Sequence, residues 1–472
     1  MQVSDFIENR TFDEIAVGES ASLTRTLTKD DIILFAVMSG DVNPTHLDER
    51  YAETSISHRI VAHGMWGGAL ISAILGTRLP GPGTVYLRQD LRFREPVGLG
   101  DTVTVTVTAS EKRQEEHVVL FDCRGVNQNG DEVISGIAQV IAPTKKICQP
   151  RVALPEVEVR RHDRYEELVQ RCAELEPIRT AVVDPRDHAS LEGTVRATEL
   201  GLIRPVLVGP EQEIRSLAAS LNIEITGCEF LDAKPGPAAA ATAVALARAG
   251  KVDALMKGSL RPDELMHEVV AAGTGLRTER RMSHAFVMDV PNYATPLILT
   301  DAGVNIIPTL DQKRDICQNA IDLAKVLGFD QARVAVLSAV ENVTRKIPST
   351  LEAAALCKMA NRGQITGGIV DGPLTFDDAV SADSARQANI VSPVAGGANI
   401  LLVPDIESGN MLVKQLTFMS GAEGAGIVLG ARVPIILTSQ TDKLRTRLAS
   451  AAAAVLLVHA QRRSTPLPSA AE

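Results

Sequence analysis

Asp41 and His46 stand five positions apart in the run Phe35-Ala-Val-Met-Ser-Gly-Asp-Val-Asn-Pro-Thr-His46-Leu-Asp48. A carboxylate and an imidazole this close, across a Gly/Asn/Pro turn, can share general acid and general base work. Adding water to a double bond, or removing it, needs that pairing. The same residues also suit a plain turn, with Asp41 capping it, Asn43-Pro44 breaking the preceding helix and His46 on the surface. Downstream, His63-Gly64-Met-Trp-Gly67-Gly68-Ala69 opens an apolar helix with three glycines. Glycines there allow close backbone approach and leave N–H groups facing outward, a ready oxyanion site for a thioester carbonyl.

Other candidates lie far along the chain. Ser408-Gly409-Asn410 precedes a helical stretch and could offer N–H groups and a positive dipole end to an anion; it reads equally as a helix cap. Arg277-Thr-Glu-Arg280-Arg281 is either a cluster for a phosphate or a solvated helix end. Neither Gly421-Ala-Glu-Gly-Ala-Gly426 nor Gly273-Thr-Gly275 has the strand–GxGxxG–helix context of a dinucleotide site, and both read as turns.

These residues need two kinds of scaffold. Up to about residue 142 the pattern is antiparallel. Tyr86–Phe93 alternates in part and Asp101–Thr108 strictly, His117–Cys123 and Val133–Ile141 follow, and Asn129-Gly130 marks a turn. With one apolar helix upstream, over about His63–Leu75, this predicts a curled sheet around a buried helix. Pro143-Thr-Lys-Lys-Ile-Cys-Gln-Pro150-Arg-Val-Ala-Leu-Pro155 then reads as a linker. Beyond it, uninterrupted apolar runs alternate with helical stretches, at Arg179–Asp184, Pro205–Gly209, Ala254–Met256, Val334–Ser338, Gly368–Asp371, Ile400–Val403 and Pro434–Leu437. They predict parallel strands covered on both faces, in two lobes with a ligand cleft at the strand C-termini. The domains expected are 1–145, a linker over 146–164, and 165–472.

A chain of 472 residues exceeds one ordinary core. With 45% hydrophobic and 22% charged residues it reads as a folded soluble protein. A formal charge of -10 and 3% aromatic residues argue against nucleic acid as the main partner. The six cysteines form no CxxC pair and no cluster at zinc spacing, so no metal site is expected and a reducing compartment is. The N-terminal segment lacks the basic flank and apolar core of a signal peptide. The apolar tail around Ala451–Val458 is shorter than the roughly 20 residues of a membrane span. Cytoplasmic location, with no membrane partner, is the expectation.

The run Gly40-Asp41-Val-Asn43-Pro44-Thr-His46, with His63-Gly64, resembles the MaoC-like, R-specific enoyl-CoA hydratases of the hot-dog fold. The likeness spans about residues 12–142 and takes in Pro80-Gly-Pro-Gly-Thr-Val-Tyr86 and Phe93-Arg-Glu-Pro96-Val-Gly-Leu-Gly-Asp101. It implies that Asp41 and His46 hold one water and deliver hydroxide and a proton to a trans-2-enoyl thioester. A backbone N–H near Gly64 would polarise the carbonyl, and Asn43 would shape the loop. Thr45 stands where the family usually has an aliphatic residue, and Ala69 where some members have serine.

The stretch from about Glu166 to Val458 resembles the phosphate acetyl/butyryltransferases. Lys257-Gly-Ser259, Gly275-Leu-Arg277 to Met282-Ser283, Asp371–Asp377, Ser392-Pro393 to Lys414 and Pro434–Ser439 carry the likeness. It implies the two-lobed isocitrate dehydrogenase-like fold, with transfer of an acyl group between CoA and inorganic phosphate. Arg277, Ser283, Ser408, Gly409 and Asn410 would bind phosphate or CoA. Ser439 would stabilise the attacked centre and Asp442 would serve as thiol base. The family commonly has Ser-Arg where this chain has Ser439-Gln440, and Gln supplies no fixed charge.

Together the resemblances imply a bifunctional enzyme whose halves share acyl-CoA, without metal or redox cofactor, assembled as a homodimer or larger. The alternative keeps the hydratase and makes the C-terminal half a binding or oligomerisation module.

Overall fold

Threonine and valine alternate through Thr102–Thr108, and a strand with that pattern must bury one row and wet the other. In the computed structural model, which describes residues 6–154, 157, 159, 163–439 and 442–464, that is how the strand Thr102–Arg113 lies. Val103, Val105 and Val107 are buried, while the threonine row pairs hydroxyls with the neighbouring strand, Thr24 to Thr104 at 2.9 Å and Thr26 to Thr102 at 2.8 Å. The chain divides into two compact units, Met1–Arg160 and Arg161–Glu472.

The first unit is a five-stranded antiparallel sheet in the order Ser20–Thr26, Thr102–Arg113, Val118–Val126, Glu132–Ile141, Val85–Phe93. The helix Gly64–Thr77 buries Trp66, Leu70, Ile71, Ile74 and Leu75 against Val103, Val105, Phe121, Ala138 and Val140. This is the hot-dog-like arrangement of a sheet wrapped on one helix. The edge strand Ser20–Thr26 was not foreseen, since its apolar residues are few and small. A separate short pairing, Phe6–Glu8 with Cys148–Pro150, joins the start of the unit to its end.

The second unit is one eleven-stranded sheet. Five parallel strands, Glu229–Asp232, Ile203–Gly209, Ile178–Val183, Ala254–Lys257 and Ile435–Ile436, form one end. Four more, Leu297–Thr300, Ile400–Leu402, Ala332–Leu337 and Gly368–Leu374, form the other. Between them Glu423–Leu429 and Ser283–Asp289 pair antiparallel with each other and with their outer neighbours, so the two parallel blocks run in opposite directions. Sequence patterning foresaw seven of these parallel strands but not Glu229–Asp232, Leu297–Thr300 or the antiparallel seam.

Gly421–Gly426, expected to be a turn, leads into and forms part of the strand Glu423–Leu429. Its glycines permit close approach: a Cβ at Gly426 would lie 2.7 Å from the Leu437 carbonyl oxygen, and one at Gly424 2.7 Å from Met288 Sδ. No helix among the described residues is long and apolar enough to cross a membrane.

Candidate functional site

The helix Lys29–Ser39 ends at Gly40, whose φ of 76° turns the chain left-handed and releases Asp41 into a loop. Asp41 Oδ1 accepts from the Asn43 N–H at 3.2 Å, and Asn43 Oδ1 accepts from the Thr45 N–H at 3.1 Å. Asn43 thereby caps the short helix Pro44–Leu47 that carries His46. Both readings of this run meet here: it is a built turn, and the turn brings the acid and the imidazole together.

Nδ1 of His46 lies 2.9 Å from the Val61 carbonyl oxygen. A ring nitrogen facing a carbonyl carries the proton, so Nε2 keeps the lone pair. Sequence reasoning gave no role to His63, which is buried and completes the site. Its Nε2 is 3.0 Å from the Asp41 carbonyl oxygen, and its ring stacks on Phe35 and lies 4.0 Å, centre to centre, from the His46 ring. His63 Nδ1 has no hydrogen-bond partner among the described residues.

One ligand atom from each of Asp41, His46 and His63 lies within 4.8 Å of the others. That donor set could hold a divalent ion, and it could equally hold one water. His63 also precedes Gly64, the first residue of the helix Gly64–Thr77, which has no side-chain cap. The Trp66 N–H turns back to the His63 carbonyl at 2.9 Å, and the Gly64 and Met65 N–H groups lie ahead of it in the uncapped first turn. The signal for His63 was present in the sequence: an imidazole directly before a glycine-rich helix start.

In the second unit, Ser439 and Asp442 follow the strand Ile435–Ile436 and hold each other. The Ser439 N–H donates to Asp442 Oδ2 at 2.7 Å, and the Asp442 N–H to the Ser439 carbonyl at 3.2 Å. Gln440 lies outside the described residues. Two cations to which sequence reasoning gave no role stand close by. Arg447 donates from Nη2 to the Ser439 carbonyl at 2.9 Å and from Nη1 to Thr438 Oγ1 at 3.2 Å. Lys257 ends the neighbouring parallel strand, where Met256 is in register with Ile436. A lysine closing an apolar run was a usable signal for Lys257; Arg447, inside a helix, offered none.

The remaining expected ligands fare differently. Arg277 is exposed, donates from Nε to the Val270 carbonyl and bridges to Ala431. Nothing in its contacts brings it to Ser439. Arg280 pairs with Asp322 at 2.5 Å, and Arg281 Nε donates to Asn305 Oδ1 at 2.6 Å, so this cluster is largely committed to its own surroundings.

Ser283 is fully buried and its hydroxyl accepts from Asn319 Nδ2 at 2.9 Å, which makes it a core residue and not an open ligand group. Ser408, Gly409 and Asn410 do not precede a helix but lie within Ile406–Met419. Asp405 caps that helix, taking the Ser408 N–H at 2.8 Å, so a carboxylate already occupies its positive end. Gly409 instead packs on the Asp301–Ala302 backbone, where a Cβ would lie 2.7 Å from the Asp301 carbonyl oxygen. A separate cavity of about 340 Å³, walled by Arg164, Leu168, Met288, Asn399 and Glu423, includes none of these residues.

Residues 14–124 match the model of the MaoC like domain, and residues 236–455 that of the family described as "Phosphate acetyl/butaryl transferase". The chain is 57% identical to a phosphate acetyltransferase of Rhizobium meliloti over 293 residues, covering 62% of this chain and 93% of that one. A branched-chain phosphotransacylase from Enterococcus faecalis is 27% identical and superposes over 60% of this chain and 99% of its own, with a TM-score of 0.52. An R-hydratase from Pseudomonas aeruginosa is 42% identical over 33% of this chain and 99% of its own, with a TM-score of 0.32.

Proposed function

Because this chain belongs to the phosphate acetyltransferase family and joins it to a MaoC-like domain, we propose a bifunctional acyl-CoA enzyme. Its first unit interconverts trans-2-enoyl-CoA and (R)-3-hydroxyacyl-CoA; its second moves a short acyl group between CoA and inorganic phosphate. Convergence of Asp41, His46 and His63 on one point at the start of an uncapped helix carries the first reading. The extent and identity of the match to the Rhizobium meliloti enzyme carry the second.

In hydration, a water held between Asp41 and His46 adds its oxygen to C3 and gives one proton to the dyad, while the dyad gives one proton to C2. His46 Nε2 is the nitrogen free to take part, since Nδ1 is engaged by Val61. Negative charge that gathers on the thioester oxygen meets backbone N–H groups at Gly64. Asn43 and His63 touch the loop and the rings rather than the reacting carbons; they hold the geometry.

In transfer, the CoA thiol loses its proton to the Asp442 carboxylate and the sulfur attacks the acyl phosphate carbonyl. The C–S bond forms, the C–O bond to phosphate breaks, and phosphate leaves with the electron pair; the reverse reaction consumes acyl-CoA and phosphate. The Ser439 hydroxyl donates to the carbonyl oxygen as charge develops there. We read the two opposed parallel blocks as the two lobes of an isocitrate dehydrogenase-like fold. The proposed enzyme works without metal or redox cofactor, as a homodimer or larger assembly in the cytoplasm.

Two assays on the full-length protein test this. Crotonyl-CoA hydration and phosphate-dependent release of CoA from acetyl-CoA or butyryl-CoA should both proceed. Hydration without any CoA release would instead favour the second reading, a transferase-fold module that binds or assembles. The neutral side chain of Gln440, next to Ser439, is the observation behind that alternative.

A further inference from the structure

Arg447 is 5% exposed and Lys257 1%. Among the described residues neither forms an ion pair. Lys257 Nζ donates to the carbonyl oxygens of Gly258 at 2.9 Å and Leu260 at 3.3 Å, which leaves one ammonium N–H over. Arg447 spends both terminal nitrogens on Thr438 and Ser439, and its buried Nε has no partner among the described residues. Burial, followed by the neighbouring Arg447 charge, holds Lys257 below its usual pKa, while Asp187 and Asp442 pull the other way.

Two buried cations side by side, without a paired carboxylate, form an arrangement a fold tolerates poorly unless an anion completes it. Both carboxylates in range are already engaged, Asp187 by the Ser259 hydroxyl at 2.8 Å and Asp442 by the Ser439 N–H at 2.7 Å. The position is also where an anionic ligand would arrive. Ile178–Val183, Ala254–Lys257 and Ile435–Ile436 are adjacent parallel strands ending at the same edge, and ligands of open α/β sheets bind outside such ends.

We infer that Lys257 and Arg447 form a cationic floor beneath Ser439 that attracts and orients the phosphate group of the transferase substrate. The inference rests on the transferase reading of the second unit. Both side chains are covered, so they are positioning residues. Lys257 acts through its field. Arg447 acts through its field and through its grip on the Ser439 carbonyl, opposite the Asp442 grip on the Ser439 N–H. Position 440, directly after Ser439 in the chain, is glutamine and adds no positive charge.

The test uses the full-length protein with Lys257→Met, Arg447→Met and each of these combined with Gln440→Arg. In phosphate-dependent CoA release, either methionine variant should raise the phosphate KM by about tenfold to a hundredfold. The KM for acetyl-CoA should change far less, and crotonyl-CoA hydration not at all. Adding Gln440→Arg should recover much of the phosphate affinity, because it restores a positive charge at the position that follows Ser439 in the chain. An unchanged phosphate KM in both single variants, or an equal fall in kcat that Gln440→Arg does not relieve, would reduce the pair to structural residues and overturn the inference.

A second measurement separates this outcome from failure of the transferase reading. Inorganic phosphate should raise the thermal unfolding temperature of the wild-type second unit even if no CoA is released, and the methionine variants should lose that response. No response in the wild type refutes the floor. Should a methionine variant fail to fold, Lys257→Arg replaces it; a folded Lys257→Arg protein without the phosphate response is equally fatal.

Discussion

The Asp41 loop and the Ser439 turn each hold a carboxylate, Asp41 in one and Asp442 in the other, but they hold their charges by different means. In the first unit Asp41 is exposed, and the imidazoles beside it are oriented by the carbonyls of Val61 and of Asp41 itself. In the second unit the serine is pinned by a carboxylate on one side and a buried guanidinium on the other. Helix starts follow the same division. Gly64–Thr77 begins without a side-chain cap, whereas Ile406–Met419 begins under Asp405. A helix end left bare next to reactive groups is open to a ligand; a capped one has been closed for stability. Adding water asks for mobile protons near solvent, and moving an acyl group between two anions asks for fixed positive charge. On the proposed functions, the two sites divide along that line.

The largest expected effect that sharpens this contrast comes from the dyad. Asp41→Asn or His46→Ala should lower crotonyl-CoA hydration by on the order of 10²–10⁴-fold and leave CoA release untouched; hydration at the wild-type rate would move the site elsewhere. Next, Ser439→Ala should cost CoA release on the order of 10²–10³-fold with hydration intact, and parallel losses in both assays would deny the separation of the sites.

A smaller, structural effect probes the independence of the units. A Cβ at Gly136 would lie 1.9 Å from the Asp90 carbonyl oxygen across the sheet. Gly136→Ala should therefore destabilise the first unit by roughly 1–3 kcal/mol or more. Calorimetry should show one transition lowered and that of the second unit unmoved.

The smallest effect concerns His284, whose imidazole is buried. Burial pushes its pKa below the ordinary 6.5, against the pull of Asp301, the Leu437 backbone and Asp442. The unfolded chain then binds the extra proton first. The second unit should lose stability as pH falls below about 6.5, the unfolded value, toward the lower folded pKa. In His284→Leu that component of the acid slope should vanish; an unchanged slope would assign it to other groups.

Much of this architecture was legible in the residues because one physical signal dominated each element. Thr/Val alternation marked Thr102–Arg113, and unbroken apolar runs marked most of the parallel strands, though not Glu229–Asp232 or Leu297–Thr300. The antiparallel seam was hidden because Gly424 and Gly426 are there for close packing, and glycine in a sequence signals a turn more often than a crowded strand. The dyad was visible because its partners are five positions apart. His63 sits 17 positions beyond His46, and Arg447 eight beyond Ser439, so only the fold reveals what they touch. Ser408–Asn410 misled because a cap motif and an anion site share the same residues, and Asp405 decides between them.

The short pairing of Phe6–Glu8 with Cys148–Pro150 has a bearing on ancestry. It places the point where the chain enters its first unit beside the point where it leaves, like the two ends of a clasp. A segment fastened in that way can be spliced upstream of another gene product without its interior depending on the new neighbour. Portability of this sort is what recombination between reading frames needs. It also supplies the laboratory with a place to cut, just past Pro150, where each half can be asked to stand alone.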